Sequence, residues 1–177
     1  MPHIHTEPGQ HDLTASAFIV RTDGDKPRAM LHKHRLLDMY LQFGGHVELH
    51  ENPWQAITHE LKEEAGYDLS QLNLLQPKER LQNSATSNLH PYPAMLQTHP
   101  FGDIDHKHTD IGFAFVADRP PQQKPEEGES TEFLLLSAAE LKKLRDDQIP
   151  ENVRLTFLFV LDTCLPKWEQ VPAKDLA

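Results

Sequence analysis

A helix whose two ends are both written in the sequence fixes the middle of this chain. Asn52 is a strong N-cap, and Pro53 suits the first helical position, where its missing N–H costs nothing. Gly66 then offers the left-handed residue that stops a helix, so the spacing predicts a helix from Pro53 to about Ala65. Just upstream, residues 41–43 read as a short strand ending at Gly44 and Gly45. Strand, glycine turn and capped helix in that order point to an α/β fold.

Inside the helix, Glu60, Glu63 and Glu64 stand at i, i+3 and i+4, which puts three carboxylates on one face. Ile57 and Leu61, four apart, can carry the face turned to the core. Like charges crowded on one stripe destabilise a helix, so two readings stand at this point. The stripe is a solvated acidic surface, or it is a divalent-cation site in which the ion relieves the repulsion.

The rest of the chain supplies the partners for this unit. Residues 13–20 are β-prone, the turn at Thr22-Asp23-Gly24-Asp25 follows, and a second strand near residues 29–34 completes a hairpin. From Gly66 to about Pro100 the sequence is rich in Asn, Gln, Pro and Ser, which predicts long loops with one strand near residues 94–98. Residues 111–117 read as a buried strand, 120–130 as a polar loop and 132–136 as a further strand. Ser137 and Glu140 form a capping box for a short helix to about Arg145, residues 151–165 a final apolar helix, and the tail from about residue 172 is expected to fray. The 177 residues suffice for one domain over the whole chain, without internal repeat or linker.

Charge and composition narrow the function. Lys and Arg number 17 against 27 Asp and Glu, a net charge of -10 that opposes binding to a nucleic acid duplex. No run approaches the length of a membrane helix, and the start at Met1 has neither a basic nor an apolar leader, so a cytoplasmic protein without a membrane partner is expected. The single cysteine, Cys164, lies in an apolar run and is expected to be a buried, unreactive thiol.

Residues 45–67 resemble the Nudix box, G-x5-E-x7-R-E-U-x-E-E-x-G-U, where U is a bulky apolar residue. Gly45, Glu51, Glu60, Leu61, Glu63, Glu64 and Gly66 match, Tyr67 is an acceptable bulky residue, and His59 stands where the family has Arg. The resemblance implies an α/β fold of the Nudix type, an α/β/α sandwich with a mixed β-sheet. It also implies a Mg2+-dependent pyrophosphohydrolase, with Mn2+ as a substitute, acting on a small phosphorylated substrate such as a nucleoside diphosphate linked to another group. By the same similarity, Glu60, Glu63 and Glu64 would be metal ligands and catalytic groups, joined by the backbone carbonyl of Gly44, while Gly45, Glu51, His59 and Gly66 shape the box. A homodimer would be in keeping with such relatives. The general base would be Glu64 first, or a loop glutamate among Glu126, Glu127 and Glu129, whose plain alternative is solvated charge. In the family the box Arg helps to orient a catalytic carboxylate; His59, four residues before Glu63, can do so as a cation only below its pKa.

Of the twelve histidines, nine fall into three groups: His3, His5 and His11; His32, His34, His46 and His50; and His106 with His108. In extended chain, His106, His108 and Asp110 share one face, and together with His46 they are candidates for contact with substrate phosphate or with a second cation. Scattered surface histidine is the plain alternative for each group. Two other functions fit parts of the sequence. Isopentenyl-diphosphate isomerases share the Nudix scaffold, and His5, His11 and His46 are loosely similar to their metal-binding set, but no cysteine precedes Gly44 here. A non-catalytic nucleotide-sensing module would be favoured by loss of a box glutamate, and all are present.

Overall fold

β1 (His11–Arg21) is the spine of a mixed sheet, because its run of small and β-branched residues can be covered on both faces. The structure is a computed structural model that describes residues 4, 9–35, 37–81, 84–100 and 106–176. Along one edge β1 pairs in parallel with β7 (Lys107–Ala117), from His11 opposite Lys107 to Arg21 opposite Ala117. Its other edge is shared: residues 19–21 pair with β2 (Arg28–Lys33), and residues 14–17 with β4 (Phe43–His46). β3 (Tyr40–Leu41) and β8 (Phe133–Leu136) extend the sheet from β2. β6 (Met95–Pro100) pairs with the first half of β7 and β5 (Asn73–Gln76) with its second half, and β9 (Glu169–Pro172) lies outside β5. All pairs among the described residues except β1 with β7 are antiparallel.

The period of two along β1 separates two cores. Ala15, Ala17 and Ile19, with Phe113 and Phe115 of β7, meet Trp54, Ile57 and Leu61 of α1 (Pro53–Glu63), and the Trp54 ring stands 5.4 Å from Phe113. On the other face, Phe18 and Val20, with Ala114 and Val116, meet Leu141 of α2 (Ala138–Leu141) and Val153 and Phe157 of α3 (Glu151–Phe159). The Phe18 and Phe157 rings make edge contact at 5.0 Å. Helices thus cover both faces of a mixed sheet, the α/β/α arrangement expected. No helix among the described residues is long and apolar enough to cross a membrane.

Three expectations need correction. The stretch after Gly66 is not all loop: Leu69–Gln71 makes a 3-10 turn and β5 follows, its buried Leu74 and Leu75 being too few to stand out as a pattern. The last helix does not run evenly to residue 165, because α3 passes into a π-helical turn at Val160–Cys164 before Leu165–Lys167. The tail is anchored rather than frayed up to residue 176: β9 pairs with β5, and Ala173, fully buried, donates its N–H to the Leu72 carbonyl at 3.0 Å. An alanine directly after a proline carries no anchoring signal of its own. Cys164 is buried, and burial pushes its thiol up to about 11, as the unreactive reading requires.

Candidate functional site

The glutamate helix begins as its sequence prescribes. The Asn52 side chain accepts from the N–H groups of Trp54 and Gln55 at 3.0 and 2.9 Å, and Gln55 reaches back to the Asn52 N–H at 3.0 Å. At the other end Gly66 takes φ +70, and the Tyr67 N–H reaches back to the Leu61 carbonyl at 2.9 Å. A Cβ at position 66 would lie 2.2 Å from the Gln123 carbonyl oxygen, so this glycine also lets the 120–130 loop press against the helix end. The loop is tied there by the Glu126 N–H on the Glu63 carbonyl at 2.8 Å, and Arg35 holds the Gly128 carbonyl.

The three stripe acids have different surroundings. Glu60 is buried on the sheet side of the helix, Glu64 is largely covered, and Glu63 is exposed. Burial, then repulsion from Glu63 and Glu129, pushes the Glu60 carboxyl up to about 7. Burial, then repulsion from Glu60, pushes Glu64 up to about 8, against the pull of a hydrogen bond from the Gly44 N–H at 2.9 Å. All three loop acids are exposed, and the charge of Glu129 raises both Glu60 and Glu64. No Lys, Arg or His side chain among the described residues forms an ion pair with Glu60, Glu63 or Glu64. Gly44 adopts φ +140 and packs against β1, where a Cβ would stand 2.2 Å from the Ala15 carbonyl oxygen. Only glycine at this point lets β4 lie close enough for its N–H to hold Glu64.

A polar floor continues from Gly44 across the sheet. Ser16, opposite Gly44 in the register, donates to Asp110 at 2.9 Å, Thr14 donates to it at 3.0 Å, and Gln42 donates to Ser16 at 3.0 Å. Burial raises the Asp110 carboxyl while these hydrogen bonds favour its ionised form. One step further, the Asp12 carboxylate lies 3.3 Å from Nε2 of both His46 and His106, and the His108 ring stands 5.0 Å from that of His46 and 5.4 Å from that of His106. Asp12, His46 and His108 together present atoms able to coordinate a metal ion. Asp12, Thr14, Ser16 and Gln42 are absent from the sequence-based set. The alternation Asp12, Thr14, Ser16 inside a β-prone run was the available signal, a polar face on an otherwise apolar strand.

The sequence matches the NUDIX domain over residues 11–157. The chain belongs to the Nudix family. No curated protein matches the sequence. A Nudix family hydrolase from Clostridium perfringens has a similar structure, with 27% identity, a TM-score of 0.66, and coverage of 85% of this chain and 96% of that one. An Ap4A hydrolase of C. elegans shares the fold at 18% identity with a TM-score of 0.61, over 84% of this chain and 94% of its own. The E. coli dihydroneopterin triphosphate pyrophosphohydrolase does so at 16% identity with a TM-score of 0.60, over 85% and 94%.

Within this Nudix hydrolase, His59 takes a place other than the one expected. Its Nδ1 lies 2.6 Å from Glu51 Oε1, not on Glu63, and its side chain is largely exposed. His59 therefore ties the box loop to the helix through a largely buried carboxylate. The histidine groups also separate. His3 and His5 lie outside the described residues. His11 meets Thr109 Oγ1 at 3.2 Å on the face opposite Asp12 and His46, so the isomerase-like set is not brought together. His32 is a core residue rather than a surface one: it packs 4.9 Å from the Phe43 ring, and burial lowers its pKa to about 4, which keeps it neutral. His34 is half-buried and accepts the Leu37 N–H at 3.2 Å, and His50 is exposed.

Proposed function

We propose that this Nudix hydrolase cleaves a diphosphate linkage in a small phosphorylated compound, a nucleoside diphosphate joined to another group. Mg2+, or Mn2+ in its place, would be held by Glu60, Glu63 and Glu64 together with the Gly44 carbonyl. The observation that carries this reading is the pair of covered carboxyls, Glu60 and Glu64, raised to about 7 and about 8 by burial and mutual repulsion beside a backbone opened by glycine. Oxygen donors crowded in this way suit a hard cation, which restores their ionised state. When bound, such an ion neutralises diphosphate oxygens and acidifies bound water.

The chain's own groups do the rest. The Gly44 N–H fixes the orientation of Glu64, the first choice as the group that takes the proton from attacking water. Glu129 is the second choice, since the docked loop keeps it within electrostatic reach of both carboxyls. Glu63, exposed next to them, is free to turn toward a ligand. Asp110, His46, His106 and His108 form the wall that extends from Gly44 on the sheet and would face the bound compound.

The test is release of nucleotide or phosphate from a panel of ADP-ribose, sugar nucleotides, nucleoside triphosphates and, in view of the similar folds, Ap4A and dihydroneopterin triphosphate. Mg2+-dependent turnover of at least one, lost with Glu64→Gln, is expected. Turnover of none of them, with the chain folded and Mg2+ bound, would overturn the reading. Isomerisation of isopentenyl diphosphate would replace it.

A further inference from the structure

Three strands of different sequence origin deliver a carboxylate and two imidazoles to one buried point. Asp12 comes from β1, His46 from β4 and His108 from β7. The register places Asp12 directly opposite His108 on the parallel pair, while His46 lies opposite Thr14 on the other side of β1. One coordinating atom from each of the three lies within 4.8 Å of the others, and all three residues are buried. We infer that Asp12, His46 and His108 form a site for a transition-metal dication, Zn2+ by preference, separate from the glutamate stripe.

The spacing and the donor chemistry support this. Donors about 2.1 Å from a tetrahedral ion stand about 3.4 Å from one another. The 3.3 Å between Asp12 Oδ2 and His46 Nε2 is close to that edge, and the His108 donor lies within 4.8 Å of both. Two imidazoles with one carboxylate select Zn2+ over Mg2+, which prefers oxygen donors throughout. The Ile4 N–H donates to Asp12 Oδ2 at 3.1 Å, an outer contact of the kind that orients a coordinating carboxylate.

Position gives the ion a role. His46 is two residues beyond Gly44 on β4, roughly 7 Å along the strand. An ion at this cluster cross-links β1, β4 and β7 where the sheet carries the polar floor, and so fixes the strand whose Gly44 N–H holds Glu64. The inference stands on the cluster alone and does not require that the chain hydrolyse any particular diphosphate.

The test uses the full chain without an affinity tag, stripped with chelator. Zn2+ uptake is measured by competition with a chromophoric chelator, and Co2+ uptake by the visible absorption of the tetrahedral ion. One Zn2+ per chain, a Co2+ spectrum of tetrahedral type and a higher Tm with Zn2+ are expected. His108→Asn and Asp12→Asn, each checked for folding by circular dichroism, should weaken Zn2+ binding by at least about tenfold to a hundredfold. Glu60→Gln with Glu64→Gln should bind Zn2+ as the wild type does. Because the Co2+ spectrum is read on the wild type, a variant that fails to fold leaves the inference open to refutation. Absence of stoichiometric uptake would overturn it. So would uptake unaffected by His108→Asn, which would mark exposed histidines as the donors, or uptake lost with the glutamate pair.

Discussion

Replacing Glu64 by Gln should make the metal-free protein more stable while disabling it. The Glu64 carboxyl is raised from 4.5 to about 8, burial being the largest cause and repulsion from Glu60 the next. A carboxyl raised in the folded state keeps its proton there while the unfolded chain releases it. Folding stability is therefore undiminished below about pH 4.5 and falls as pH rises through about 8. At about 1.4 kcal/mol per pH unit the ceiling on this loss is near 5 kcal/mol, and since water still reaches the incompletely buried carboxyl and the repulsion is shared with Glu60, on the order of 2 kcal/mol belongs to Glu64 itself. Gln keeps an oxygen for the Gly44 N–H and carries no charge. In chelator at about pH 8 the variant should melt roughly 4–8 °C above the wild type, at about 2–4 °C per kcal/mol for a chain of this size. Mg2+ should raise the Tm of the wild type and leave that of the variant unchanged, and turnover should fall by at least about a hundredfold. Scanning calorimetry with chelator and then with Mg2+ reads all but the last. A variant less stable than the wild type in chelator, or equal gains from Mg2+ in both, would refute the reasoning.

The other predictions concern the elements around the stripe. Gly66→Ala places a Cβ 2.2 Å from the Gln123 carbonyl oxygen at φ +70, and should cost on the order of 1–3 kcal/mol in denaturant unfolding and expose the 120–130 loop to protease. Among single Gln substitutions at Glu126, Glu127 and Glu129, only the last should lower kcat by more than about tenfold, because the charge of Glu129 is among the main causes that raise both Glu60 and Glu64. His59→Ala should lower kcat by more than about threefold, since it unties the box loop from the helix at Glu51, and His59→Arg, which keeps a donor for that carboxylate, should restore most of it. Equal rates for His59→Ala and the wild type would show that the His59–Glu51 contact does not bear on catalysis.

The fold was legible where local chemistry and tertiary packing agree. The cap at Asn52, the stop at Gly66 and the apolar pair Ile57 and Leu61 act within one turn of the helix they define, and each appears in the structure where the spacing placed it. β5 and β9 were not legible, because each is held by the other and by β7 rather than by a pattern of its own. The same distinction divides the site. The glutamate stripe lies on one helix and could be read as a spacing, whereas Asp12, His46 and His108 come from three strands and meet only through the register. His59 was placed on the correct helix but assigned the wrong partner: helical spacing favours Glu63, while the box loop folds back to present Glu51. Nothing in a helical period reports where a preceding loop returns.

Buried, partly protonated glutamates on α1 should give up their protons to a hard cation. Titration of the chain with Mg2+ near pH 7, in two buffers of different ionisation enthalpy, measures this directly. Mg2+ uptake should drive protons into the buffer, in keeping with carboxyls at about 7 and about 8, and Glu64→Gln should abolish most of this release. Heats identical in both buffers, or Mg2+ uptake that survives the substitution unchanged, would contradict it.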